Sequence, residues 1–193
     1  MTQGARRGQV AATNQQGDDM ARYALIYGLL SGTIIVLVII AGMTVGGFGH
    51  SLWFGYLAMV VALTFIFVGV KRYRDVEGGG VIRFWRALAM ALSIAVVATA
   101  AYVAAWEVYL ALTHYTFMDE YIASMIRNAQ KHGATGAKLA AIRAEGENMR
   151  AIYANPVLRM GMTAIEIAPV GVIVAIFSAA LLCFPRVLPA RRA

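Results

Sequence analysis

Between Arg22 and Lys71 the chain has no lysine, arginine, aspartate or glutamate, and the only histidine there is His50. The stretch divides into two apolar runs, at about residues 23–44 and 52–70. A helix rising about 1.5 Å per residue needs roughly 20 mostly apolar residues to cross about 30 Å of hydrocarbon, so each run is long enough to span a bilayer. Two more runs follow at about residues 87–112 and 158–184. With 60% hydrophobic and 14% charged residues, the composition is too apolar for a soluble domain of this length. The expectation is an all-α integral membrane protein with four transmembrane helices. The first run is too long for a signal-peptide core and has no clear small-x-small cleavage site, so it is expected to be retained.

Basic residues gather in three places: Arg6, Arg7 and Arg22 before the first run, Lys71, Arg72, Arg74, Arg83 and Arg86 between the second and third, and Arg186, Arg191 and Arg192 after the fourth. The link at residues 45–51 has none. Because lysine and arginine are retained on the cytoplasmic side, both termini and the loop from Lys71 to Arg86 are expected there. The net charge of +7 is therefore explained by topology. Nucleic acid binding would need basic residues interleaved with stacking aromatics on a soluble face, which the sequence does not offer. Lys71, Arg72 and Arg74 fix topology, and an anionic lipid headgroup is a plausible partner for them.

The expected organisation is a mobile cytoplasmic tail over residues 1–21, a membrane domain over 22–185, and a basic cytoplasmic tail over 186–193. An extracytoplasmic helical hairpin is expected between the third and fourth spans, at about residues 116–154. Met118, Tyr121, Ile122, Met125 and Ile126 form one apolar stripe, with Thr116 and Asp119 placed like a capping box. The stretch from Gly133 to Gly136 breaks that helix, and Leu139, Ile142, Met149, Ile152 and Tyr153 form a second stripe. Asn155 before Pro156 offers a cap and a first-turn proline for the fourth span.

Apolar side chains gain nothing by leaving lipid for one another, so helix packing is expected to use small residues. Gly28 with Gly32, Gly42 with Gly46, and Gly171 with Ala175 and Ala179 supply such faces, either within one chain or between chains. Tyr23, Tyr73 and Trp85 are expected at the inner interface, and Trp53, Tyr56, Trp106 and Tyr109 at the outer one. Cys183 excludes an intramolecular disulfide and a cysteine-based metal cluster.

Two acids stand inside apolar runs. Glu107 lies about 30 Å along the third span from Arg86, and Glu166 about 10 Å beyond Arg159 on the fourth. Both fall in the outer half of the bilayer. If the two carboxyls meet, they cannot both ionise cheaply, which outlines a proton or cation site. Otherwise each reaches the interface or accepts hydrogen bonds from neighbours. Pro169 releases the carbonyl of Ile165, so polar groups converge near Glu166, as either a kinked packing element or a small ion site. A metal would recruit His50 and His114, but Glu107 and His114 are about 10 Å apart on a straight helix. No protease, nucleophile or nucleotide-binding motif is present, so neither an enzyme nor a cofactor is expected.

With these residues set out, the chain resembles family 4199 of the domains of unknown function. The resemblance runs from about Tyr23 to Phe184. It rests on Tyr27-Gly28-Leu29-Leu30-Ser31-Gly32, on Gly55-Tyr56-Leu57-Ala58-Met59, on Phe67 through Gly69 to Lys71-Arg72-Tyr73-Arg74-Asp75, and on Gly161-Met162-Thr163 through Glu166, Pro169 and Gly171. It implies a small bacterial inner-membrane protein with four spans and an outer hairpin, and no assigned reaction. Two functions stay open: an accessory or structural protein engaging other membrane proteins or itself, and a proton- or cation-coupled transporter or channel component using Glu166 and Glu107.

Overall fold

The computed structural model describes residues 3–44 and 52–184, with side chains described except at 3–14, 43–44, 52–58 and 62. Among the described residues there are six helices and no strand: α1 (Gln3–Thr44), α2 (Leu52–Val76), α3 (Phe84–Leu112), α4 (Phe117–Lys131), α5 (Gly136–Ala154) and α6 (Pro156–Leu182). Among the described residues three stretches are long and apolar enough to cross a membrane: Gln15–Gly42 of α1, α3 and α6. The 29 residues of α3 alone rise about 44 Å, more than the hydrocarbon thickness requires. Leu37, Val96, Ile165 and Phe177 point large apolar side chains outward, a surface that water would not tolerate over such an extent.

α1 begins at Gln3, so helix covers a segment that its polar composition marks as a tail. No proline stops it, and Ala, Gln and Arg sustain a helix once the apolar part has nucleated one.

The chain divides into two compact units. The first comprises residues 1–102 and 166–193. Its packing is set by glycine. A Cβ on Gly32 would lie 2.6 Å from both the Ala98 carbonyl oxygen and Ala101 Cβ of α3, and one on Gly28 would lie 2.5 Å from Val97 Cβ. The Gly28/Gly32 pair therefore joins two helices of the same chain, bringing backbone against backbone where van der Waals contact replaces the missing hydrophobic drive. Gly69 of α2 seats the Tyr27 ring and the tip of Ile94 in the same way, so α1, α2 and α3 meet around one point. Gly171 of α6 faces Ala95 of α3, and Ala175 and Ala179 continue that face with no exposure. Gly46 lies outside the described residues.

At the end of α2 the chain turns through Gly78, Gly79 and Gly80, the last two at φ +58° and +87°. Gly80 N–H reaches back to the Arg74 carbonyl at 3.0 Å, closing the helix with a left-handed cap that a side chain would strain.

The second unit, residues 103–165, holds the end of α3, α4, α5 and the first turns of α6. Ile122 of α4 packs its Cγ2 where a Cβ on Gly146 of α5 would be 2.8 Å away. Half-buried Leu139, Ile142, Met149 and Tyr153 flank that glycine, whereas Ile152 is exposed. Arg150 ties the two helices together at the surface, 2.9 Å from Asp119 and 2.7 Å from Glu147.

The capping box expected at α4 does not form. Thr116 has helical angles, and its hydroxyl donates to the Thr113 carbonyl at 3.0 Å, while Asp119 is engaged by Arg150. The cause is the preceding turn, where His114 and Tyr115 both take left-handed angles, φ +53° and +58°, and deliver Thr116 already coiled. At α6 the expected cap is present. Asn155 Oδ1 accepts from the N–H groups of Val157 and Leu158 at 3.0 and 3.3 Å, and Pro156 fills the first position, where no donor is needed.

Two of the aromatics expected at interfaces are packed inside instead. Tyr73 and Trp106 are buried, because each has a polar partner within the protein: Arg86 donates to the Tyr73 hydroxyl at 2.7 Å, and Trp106 Nε1 donates to the Tyr153 hydroxyl at 3.1 Å. Trp85 is exposed, and the side chains of Trp53 and Tyr56 lie outside the described residues.

Candidate polar sites of the apolar helices

In the second unit Glu107 meets an arginine. The last turns of α3 carry the carboxylate, and the first turn of α6, started by Asn155 and Pro156, carries Arg159. Arg159 Nε donates to Glu107 Oε1 at 2.7 Å and Nη2 to Oε2 at 2.6 Å, a parallel two-bond fork. A third donor, Nη1, reaches the Tyr153 carbonyl at 2.8 Å. The Tyr115 ring lies 4.9 Å from the guanidinium carbon and the Tyr153 ring 6.0 Å. Only 7% of the arginine side chain and 15% of the glutamate remain exposed.

Such a pair is costly to desolvate, and what makes it tolerable is that both oxygens and three nitrogens are satisfied. The Glu107 carboxylate is thus committed to a fixed cation. Sequence reasoning used Arg159 only as a depth marker. The signal it left unused is that Arg159 is the only cation of α6, placed one turn after a capped start.

The preceding left-handed residues His114 and Tyr115 hold the Tyr115 ring against this pair. Two consecutive non-glycine residues in that region cost about 1–2 kcal/mol each, and the aromatic contact and the chain reversal offset the cost.

Glu166 belongs to the first unit. Its side chain is exposed, and among the described residues it makes no hydrogen bond or ion pair. Pro169 follows within α6, which continues through it, and is exposed as well.

The third polar group closes the first unit at the ends of α2 and α6. Arg74 is completely buried. Its Nε donates to Asp75 Oδ1 at 2.8 Å, and its Nη1 reaches the Leu182 carbonyl, in the last turn of α6, over a long 3.5 Å. Lys71 Nζ donates to the other Asp75 oxygen at 2.7 Å. Burial by itself raises the Asp75 carboxyl, but the hydrogen bonds from Lys71 and Arg74 outweigh it and hold the group below the usual carboxylate range. Arg74 therefore sits where a helix C-terminus favours a cation, and it supplies a donor to a carbonyl without an intrahelical partner. Arg72 between them is exposed.

Of the histidines weighed for a metal, His50 lies outside the described residues and His114 is exposed. Among the described residues no group of three or more His, Cys, Asp or Glu side chains is placed to hold an ion.

A chain whose described residues are all helix and turn, with three apolar spanning stretches among them, glycine-mediated helix contacts and a shielded ion pair, is a small helical membrane protein. The chain belongs to the family described as protein of unknown function (DUF4199), whose pattern matches residues 22–183. No curated protein and no solved structure matches it. Gly28, Gly32, Gly69, Arg74 and Gly171, which carry the resemblance in the sequence, are the residues at the helix contacts of the first unit.

Proposed function

We propose that this is an accessory or structural protein of the bacterial inner membrane, without enzymatic activity or cofactor. In this reading α2 is a fourth span, both termini are cytoplasmic, and α4 with α5 forms an extracytoplasmic hairpin. Its partners are other membrane proteins or a second copy, and Arg72 with Lys71 faces anionic lipid headgroups. The observation that carries the reading is the state of Glu107: an acid whose two oxygens are both held by Arg159 serves as a fastening, because releasing it to carry a proton or cation would strand a buried arginine.

The second reading, a proton- or cation-coupled transporter or channel component, is favoured by one observation, an exposed Glu166 on an apolar helix with no partner among the described residues. Purified protein in lipid vesicles loaded with a pH-sensitive dye separates the two. The accessory reading expects proton flux under an imposed potential to equal that of protein-free vesicles. Flux above that level, abolished by Glu166→Gln at equal protein content, would replace it with the transporter reading. Carbodiimide labelling in native membranes then tells whether Glu166 is reachable from lipid.

A further inference from the structure

Intramembrane acids ordinarily face the interior of a bundle, a cavity or a counter-charge. Glu166 does none of these: it stands on the outward side of α6, opposite the buried line of Ile167, Gly171, Ala175 and Ala179 that packs into the first unit. Among the residues sharing its outward side, which Phe177 and Val172 widen, one row is ordered. Glu166, Pro169, Ile173, Ile176 and Ala180 follow one another at intervals of three, four, three and four, the heptad seam by which one helix lies along another. Ile173 and Ile176 are about half exposed, and Ala180 at the end of the seam is small enough for close approach.

A seam of this kind with a single polar residue at one core position fixes register and partner number. We propose that this side of α6 is the interface with a second copy of the chain, with Glu166 hydrogen-bonded to Glu166 of the partner subunit. Two arguments select the second copy over other occupants. Copies inserted with the same orientation and related by a two-fold axis along the membrane normal bring the same residue to the same depth, so the acid meets its own equivalent. A carboxylic acid is complementary to itself, since one group donates while the other accepts, and no cation from another protein is required. The inference rests on α6 being a membrane span, which the accessory reading shares with the transporter reading.

The test is cysteine cross-linking of the full chain in native membranes, in a Cys183→Ser background. Ile173→Cys and Ile176→Cys are expected to yield a covalent dimer with a short bis-maleimide, and Val96→Cys, more exposed but on α3, is expected to stay monomeric. Adding Glu166→Leu should lower the dimer yield at least tenfold, whereas Glu166→Gln, whose amide also donates and accepts, should keep it. Equal yields for Ile173→Cys and Val96→Cys, no loss with Glu166→Leu, or products whose mass is not twice that of the chain would each overturn the proposal. Carbonate extraction of the same membranes separates its failure from failure of the membrane reading: protein released by carbonate would show that α6 does not span.

Discussion

Replacing Gly32 by alanine adds one methyl group at the tightest backbone approach between α1 and α3. The new Cβ would lie 2.6 Å from the Ala98 carbonyl oxygen, 2.6 Å from Ala101 Cβ and 3.0 Å from the Tyr102 nitrogen, none of which is the mobile end of a side chain. Ordinary contact begins near 3.4 Å, so the helices must part by about 0.8 Å. A gap of roughly 0.5–1 Å forfeits a quarter to a half of each contact's attraction, and overpacking of this kind costs about 1–3 kcal/mol. Alanine returns roughly 0.5–1 kcal/mol through helix propensity. The expected net loss is about 1–2 kcal/mol. Equilibrium unfolding of purified protein in mixed micelles with increasing SDS, followed by circular dichroism, measures it. Gly161→Ala is the comparison, since no atom lies within 4 Å of its added methyl, and it should be neutral or stabilising by up to about 1 kcal/mol. If the two variants unfold alike, the two helices are not in contact at Gly32 and the packing argument fails.

Removing one member of the buried pair, by Glu107→Gln or Arg159→Met, should destabilise by about 3–5 kcal/mol and deplete the protein from membranes, while the Glu107→Leu, Arg159→Met double variant regains most of the loss; singles at normal abundance would refute the pairing. Asn155→Ala removes the acceptor for two N–H groups of α6 and should cost about 1 kcal/mol in the same SDS titration, an effect that Asn155→Asp should not show. Because the Asp75 carboxyl is held below its unfolded value, its stabilisation is complete above about pH 4 and is lost as the pH falls through the lower folded value. Acid titration of stability should therefore be flatter below about pH 4 in Asp75→Asn than in the wild type, and equal slopes would count against the Lys71, Arg74 and Asp75 cluster.

The spanning stretches were legible because hydrophobic length is a one-dimensional quantity: a helix in lipid must satisfy its own backbone, so residues 87–112 and 158–184 announce α3 and α6 to within a few residues. Asn155 was legible for the same reason, as a cap is a local bond between near neighbours. Glu107 could be recognised as costly, but not as paired, because its partner lies 52 positions away and nothing in the spacing links them. Gly146 escaped notice for a related reason: a search for stripes looks for large apolar residues, and this contact is made where one is missing. Arg74 read as one of several basic residues in a loop, yet it is the one that is wholly enclosed, and only the arrival of α6 beside α2 distinguishes it from Arg72.

The contact between Arg74 and the Leu182 carbonyl also has a place in time. The two residues are 108 positions apart, so at about 5–20 residues per second of synthesis the arginine waits roughly 5–20 s before its acceptor exists. Through that interval α2 holds its end by local bonds, Lys71 and Arg74 to Asp75 and the Gly80 N–H to the Arg74 carbonyl, and Nη1 lacks its Leu182 acceptor. Joining Arg74 to the end of α6 is therefore among the last acts of assembly, and a nascent chain halted before Leu182 would leave that donor of the arginine without its carbonyl.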